Sequence, residues 1–128
     1  KYILKVLMIK NILCSASISG DFCASTIMIP SQLKIIFSSN KGEVINKGKF
    51  LGQIALESRL IISGELDRVL DFTNANFSHL IEDGKVNIIL TITVKWHTQC
   101  NFELNHEQLK KIADLKIACG ISCYSEEE

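Results

Sequence analysis

Val86, Ile88, Leu90, Ile92, Val94 and Trp96 occupy every second position of one uninterrupted run. Side chains alternate between the two faces of a strand, so this spacing puts all six on one side of a sheet. The other side carries Asn87, Thr91, Thr93 and Lys95. A half-buried strand of this length needs a second layer to cover its apolar face, and the rest of the chain must supply it.

Residues 102–124 supply part of that layer. Phe102 to Leu104 reads as a short strand. Asn105 then stands where a helix N-cap belongs, with Gln108 three residues on, the pattern of a capping box. Leu109, Ile112 and Ala113 form a small apolar stripe, and Ala118 to Tyr124 resumes a strand. A longer helix precedes the alternating run. Leu66, Val69, Leu70, Thr73, Phe77, Leu80 and Ile81 recur at three- and four-residue steps, with Ser63 as the expected cap and Gly84 as the stop.

Nearer the start, Ile12, Cys14, Ala16 and Ile18 alternate with Leu13, Ser15, Ser17 and Ser19, a second half-buried strand ended by Gly20-Asp21. Residues 22–36 have apolar residues suited to a helix, but Pro30 and several β-branched residues allow only a short or broken one. Phe37 to Gly48 reads as a surface loop. Phe50 to Ile62 reads as a strand with Ile54, Leu56 and Leu60 on one face and Gln53, Glu57 and Arg59 on the other. The expected order is β-α-β-α-β-β-α-β, an α+β fold with one antiparallel-rich sheet and helices packed on one face. At 128 residues the chain fits one domain, and its 47% hydrophobic share fills a core without metal or disulfide staples. Residues 1–11 read as an extension of the first strand or as a non-native leader, with Met8 an alternative start, and residues 125–128 as an acidic tail.

Charge narrows the partners. Fourteen basic residues balance fourteen acidic ones, so the chain lacks the basic field that nucleic acid or an anionic membrane would require. The apolar start, Tyr2 to Leu13, is broken by Lys5, Lys10 and Asn11, and no run reaches the length of a membrane span. Five cysteines at 14, 23, 100, 119 and 123 show no framework spacing and read as reduced, buried thiols of a cytoplasmic protein. Cys119 and Cys123 share a strand face but lie about 13 Å apart at strand rise, too far for a disulfide. They read as core residues, with Ile121 between them.

Chemistry finds little to stand on. His97, Cys100 and His106 offer two or three metal ligands where structural zinc takes four, so no metal and no cofactor is expected. His97 and Cys100 as a nucleophilic pair make a small hydrolase the third-ranked function. The carboxylates at Glu82-Asp83 and Glu65/Asp67 fall at helix ends or on a polar face. Phosphate-loop, nucleophile-elbow and zinc-protease motifs are missing. One surface stands out. The long helix carries Glu65, Asp67, Asp71, Glu82 and Asp83 against the single base Arg68. Glu65, Asp67, Arg68 and Asp71 are therefore the candidate partner-binding residues, where charge complementarity would speed encounter.

The chain resembles a family of short bacterial domains of unknown function. The opening Ala16-Ser-Ile-Ser-Gly-Asp-Phe22 is similar to that family's first strand. Ala55-Leu-Glu-Ser58 and Ser63-Gly-Glu-Leu-Asp67 are similar to its second strand and long helix. Phe102-Glu-Leu-Asn-His-Glu-Gln-Leu109 through Ile121-Ser-Cys-Tyr124 is similar to its closing helix and strand. Cys23-Ala-Ser-Thr26 stands where members have an acidic residue and a proline, and Phe50 where a tryptophan is common. Some members look like immunity proteins encoded beside bacterial toxins. The resemblance thus implies a protein that binds and blocks a cognate toxin domain without turnover. The alternative reading is a small-molecule or peptide-binding regulatory domain, its pocket between sheet and helices.

Overall fold

The computed structural model describes residues 9–46, 48–96 and 102–125. Five strands and two α-helices follow one another as β1 (Ile9–Gly20), a 3-10 turn (Ala24–Thr26), β2 (Lys34–Ser39), β3 (Ser58–Gly64), α1 (Leu66–Glu82), β4 (Val86–Trp96), α2 (His106–Leu115) and β5 (Ala118–Ser125). The strands form one sheet in the order β2-β3-β1-β4-β5.

The alternation in β4 has the expected register. Val86, Ile88, Leu90, Ile92 and Val94 are buried. They form one core cluster with Cys14, Ala16 and Ile18 of β1, with Leu60 and Ile62 of β3, and with Leu66, Val69, Leu70, Phe72 and Phe77 of α1. Leu115 of α2 joins the cluster, with Ile112, Leu80 and Ile81 partly buried against it. Phe77 is the aromatic centre, met edge-on by Phe22 at 5.4 Å and Phe72 at 6.1 Å between ring centroids.

The sheet is mixed rather than antiparallel-rich. β1 pairs antiparallel with both β3 and β4, and β2 with β3, but β5 runs parallel to β4. A parallel neighbour needs a crossover rather than a hairpin, and α2 provides it. The strand expected at Phe102–Leu104 is irregular chain. Its residues Phe102 and Leu104 still pack on the core. The short helix expected within 22–36 is a single 3-10 turn, after which Lys34–Ser39 becomes β2. β-branched Ile35 and Ile36 favour the strand.

Helix ends follow local chemistry. The capping box of α2 forms as expected. Asn105 accepts from the Gln108 N–H at 2.8 Å, and the Gln108 side chain accepts from the Asn105 N–H at 3.0 Å. The cap of α1 is Glu65 rather than Ser63, and its side chain makes no capping bond. At the far end Gly84 takes φ 70°, while Gly84 N–H donates to Ile81 and Lys85 N–H to Leu80, a Schellman closure. Gly20 is fixed by close approach. A Cβ there would sit 2.2 Å from the Lys85 carbonyl oxygen, the same oxygen that accepts from Asp21 N–H.

Candidate functional site

Both helices contribute residues to the one core cluster, and among the described residues no helix contributes to the opposite face of the sheet. Its rows follow from the pairing. Phe37, Ile61, Ser17, Ile89 and Ala118 lie side by side across all five strands. The next row is Lys34, Ser63, Ser15, Thr91 and Gly120. Four of these ten residues are Ser or Thr, and among the apolar residues of this face Ile89 is 59% exposed and Leu13 is also exposed.

One segment does lie against this face. Between β2 and β3 the chain makes a hairpin in which Gly42 N–H donates to Ala55, Ala55 N–H to Glu43, Ile45 N–H to Gln53 and Gly52 N–H to Ile45. Val44 and Ile54 form its bridge. Ser58 fastens the base. Its hydroxyl donates to the Phe22 carbonyl and accepts from the Lys41 N–H at 2.9 Å, and the residue is wholly buried. A bulge between Ile35 and Phe37 adds Ile36 to β2 without a partner in β3.

A cavity of about 540 Å³ opens between hairpin and sheet. Ile36, Phe37 and Ile61 line it from the sheet, and Ile45, Phe50 and Ile54 from the hairpin. Arg59, Glu57 and Lys49 stand among its walls, and the Lys49 ammonium lies 5.7 Å from the Phe50 ring centre. Among the described residues, seven of the thirteen exposed large apolar ones fall within 35–56, Leu56 at 88% exposure among them. Single exposed apolar residues are ordinary on a protein surface. A concentration of them around a cavity is the usual mark of a binding surface.

This places the cavity elsewhere than between sheet and helices. It also corrects the strand expected over Phe50–Ile62. That strand begins only at Ser58, and Ile54 and Leu56 belong to the exposed hairpin. The signal was present in the sequence, since Gly42, Gly48 and Gly52 punctuate apolar pairs as turns do.

Glu65, Asp67, Arg68 and Asp71 lie at the cap and in the first two turns of α1, all exposed. Two of them are engaged within the chain. Asp67 accepts from the Gln108 side-chain amide at 3.2 Å, and Asp71 pairs with Lys111 at 2.8 Å. Asp71 holds the Lys111 ammonium above its usual pKa, chiefly through that hydrogen bond. The pair is solvent-facing, so it orients α2 against α1 more than it stabilises either. His97 and Cys100 lie outside the described residues.

The thiols depart from the expected burial. Cys14 is buried, and burial pushes its pKa up to about 12. Cys23, Cys119 and Cys123 are exposed. Hydrogen bonding with Ser25 and Thr26 lowers the Cys23 thiol pKa, and partial desolvation raises that of Cys119. Cys119, Ile121 and Cys123 pair with Leu90, Ile92 and Val94, so they share the core-side face as expected, but the helix layer stops short of them. Among the described residues no group of three His, Cys, Asp or Glu could hold a metal ion, and no helix is long and apolar enough to cross a membrane. No family model, curated protein or solved structure matches the chain.

Proposed function

We propose that the chain is a cytoplasmic binding protein that neutralises a partner protein by stoichiometric docking, in the manner of an immunity protein with its cognate toxin domain. One observation carries the docking part of this reading. The exposed apolar residues gather on the hairpin and the helix-free sheet face, around a cavity able to receive a partner's side chain. The toxin as partner rests on the resemblance of the opening and closing segments described above. Docking across hairpin and sheet would bury about 1,200–2,000 Å² in total. The acidic flank of α1, Glu65 to Asp71, is the rival surface for the same partner and lies on the other layer.

The test is co-purification of the full chain with a candidate toxin domain, repeated with two double variants. Ile54→Asp with Leu56→Asp abolishes complex formation if the hairpin docks. Asp67→Lys with Asp71→Lys slows association at low salt if the helix flank docks. If neither changes the complex, the partner binds elsewhere.

A second reading is favoured by the cavity alone. Its volume lies in the range of small-molecule sites, with mainly apolar walls and a few charged groups at hand. Thermal stabilisation of the isolated chain by apolar carboxylates, lost in Phe50→Ala, supports that reading. An unchanged melting midpoint across such a panel counts against it.

A further inference from the structure

β5 is an edge strand, and it lacks the devices by which edges avoid unwanted pairing. Its sequence Ala-Cys-Gly-Ile-Ser-Cys-Tyr-Ser holds no charge and no proline, and its pairing with β4 runs without a register shift. The opposite edge, β2, does carry such devices. Lys34 opens it, a bulge interrupts it at Ile36, and the hairpin rises beside it. The contrast marks β5 as an edge made to be paired.

Its core-side residues say the same. Leu90, Ile92 and Val94 are sealed by the helices, while their neighbours Cys119, Ile121 and Cys123 continue the apolar row into solvent. Ile121 is 52% exposed and Tyr124, on the other face, 57% exposed.

The sequence also names the occupant. Around Ile121 the strand reads nearly the same in both directions, Cys-Gly-Ile-Ser-Cys. We propose that β5 is the two-fold interface of a homodimer, two copies pairing antiparallel with Ile121 against Ile121 at the axis. Cys119 of each copy then faces Cys123 of the other, Gly120 faces Ser122, and the small Ala118 faces the large Tyr124. This pairing is isologous, and no like charges are brought together along the strand. The two five-stranded sheets join into one of ten strands, and both hairpin faces stay open to a further partner. Seven paired residues per copy, Ala118 to Tyr124, with half-exposed Ile121 and Tyr124 bury on the order of 1,000 Å² in total, the lower bound for a specific interface. The dimer is accordingly weak, with a dissociation constant in roughly the micromolar range.

Sedimentation equilibrium of the full chain tests this. The wild type shows a reversible monomer–dimer equilibrium. Ile121→Lys and Ile121→Asp each weaken it at least tenfold, with helix content unchanged and with melting midpoints that match the wild type at concentrations where the wild type is itself monomeric. An equimolar mixture of the two variants recovers the dimer, since only at the axis does a residue meet its own copy. Tyr124→Glu, on the other face of the strand, weakens it too and serves if either Ile121 variant misfolds. A wild type monomeric throughout the micromolar range overturns the proposal, and so does a dimer indifferent to these substitutions. Loss in both Ile121 variants without recovery in the mixture overturns the two-fold axis at Ile121.

Discussion

Truncating two neighbours in β4 should have very different costs. Leu90 is fully buried against α1, while Ile89, one residue earlier, is 59% exposed on the helix-free face. Leu90→Ala removes the equivalent of about three methylene groups from the core, about 2.4 kcal/mol of transfer free energy. The cavity left behind raises the total to roughly 2–5 kcal/mol. Ile89→Ala surrenders only the buried part of its side chain, about 1 kcal/mol at most. Both substitutions place Ala in a strand, and β-branched Ile89 loses more β-propensity than Leu90, which narrows the difference without reversing it. Equilibrium urea unfolding reads the difference directly. In thermal unfolding Leu90→Ala should lower the midpoint by about 10 °C or more and Ile89→Ala by about 4 °C or less. If Ile89→Ala costs as much as Leu90→Ala, a second layer covers the face taken to be open, and the docking argument fails with it.

Ser58→Ala should leave the Phe22 carbonyl and the Lys41 N–H without their partner. The expected cost is about 1–3 kcal/mol, with faster amide exchange at Lys41 and Gly42 as the hairpin base loosens. Exchange unchanged there would show that the hairpin is held by other contacts. Asn105→Ala removes the capping box of α2 and should destabilise by about 0.5–2 kcal/mol, whereas Asn105→Ser restores most of the loss. Among the thiols of the described residues, alkylation followed by mass spectrometry should modify exposed Cys23 first and leave buried Cys14 untouched at pH 8 in the folded chain. Because folding raises the Cys14 pKa from 9.0 to about 12, the unfolded chain ionises first as pH rises. Stability attached to this thiol is intact below pH 9 and lost progressively towards pH 12. Cys14→Ala should flatten that part of the profile.

The sheet and helices that bury a regular apolar face could be read directly. β1, β4 and α1 each repeat at a single period over eight or more residues, and that period fixes which side chains face the core. The capping box of α2 was equally plain, because a cap is local chemistry between Asn105 and Gln108. What escaped was set by long-range pairing. Phe50 to Leu56 has the composition of a strand, yet it folds back on Val44 and Ile45 as an exposed hairpin, a choice that depends on Ser58 meeting Phe22 across 36 residues. β5 was recognised as a strand, but its burial depended on how far the helix layer extends, which no periodicity within Ala118–Tyr124 records. The acidic run on α1 showed charge without showing that α2 would supply Gln108 and Lys111 to Asp67 and Asp71.

The docking claim is tested most directly by isothermal titration of the full chain with the candidate toxin domain proposed as its partner. The account predicts one-to-one binding with a negative heat-capacity change, as apolar surface at the hairpin is covered, and loss of measurable heat with Ile54→Asp and Leu56→Asp. Binding of unchanged affinity by that variant, still folded, would contradict it.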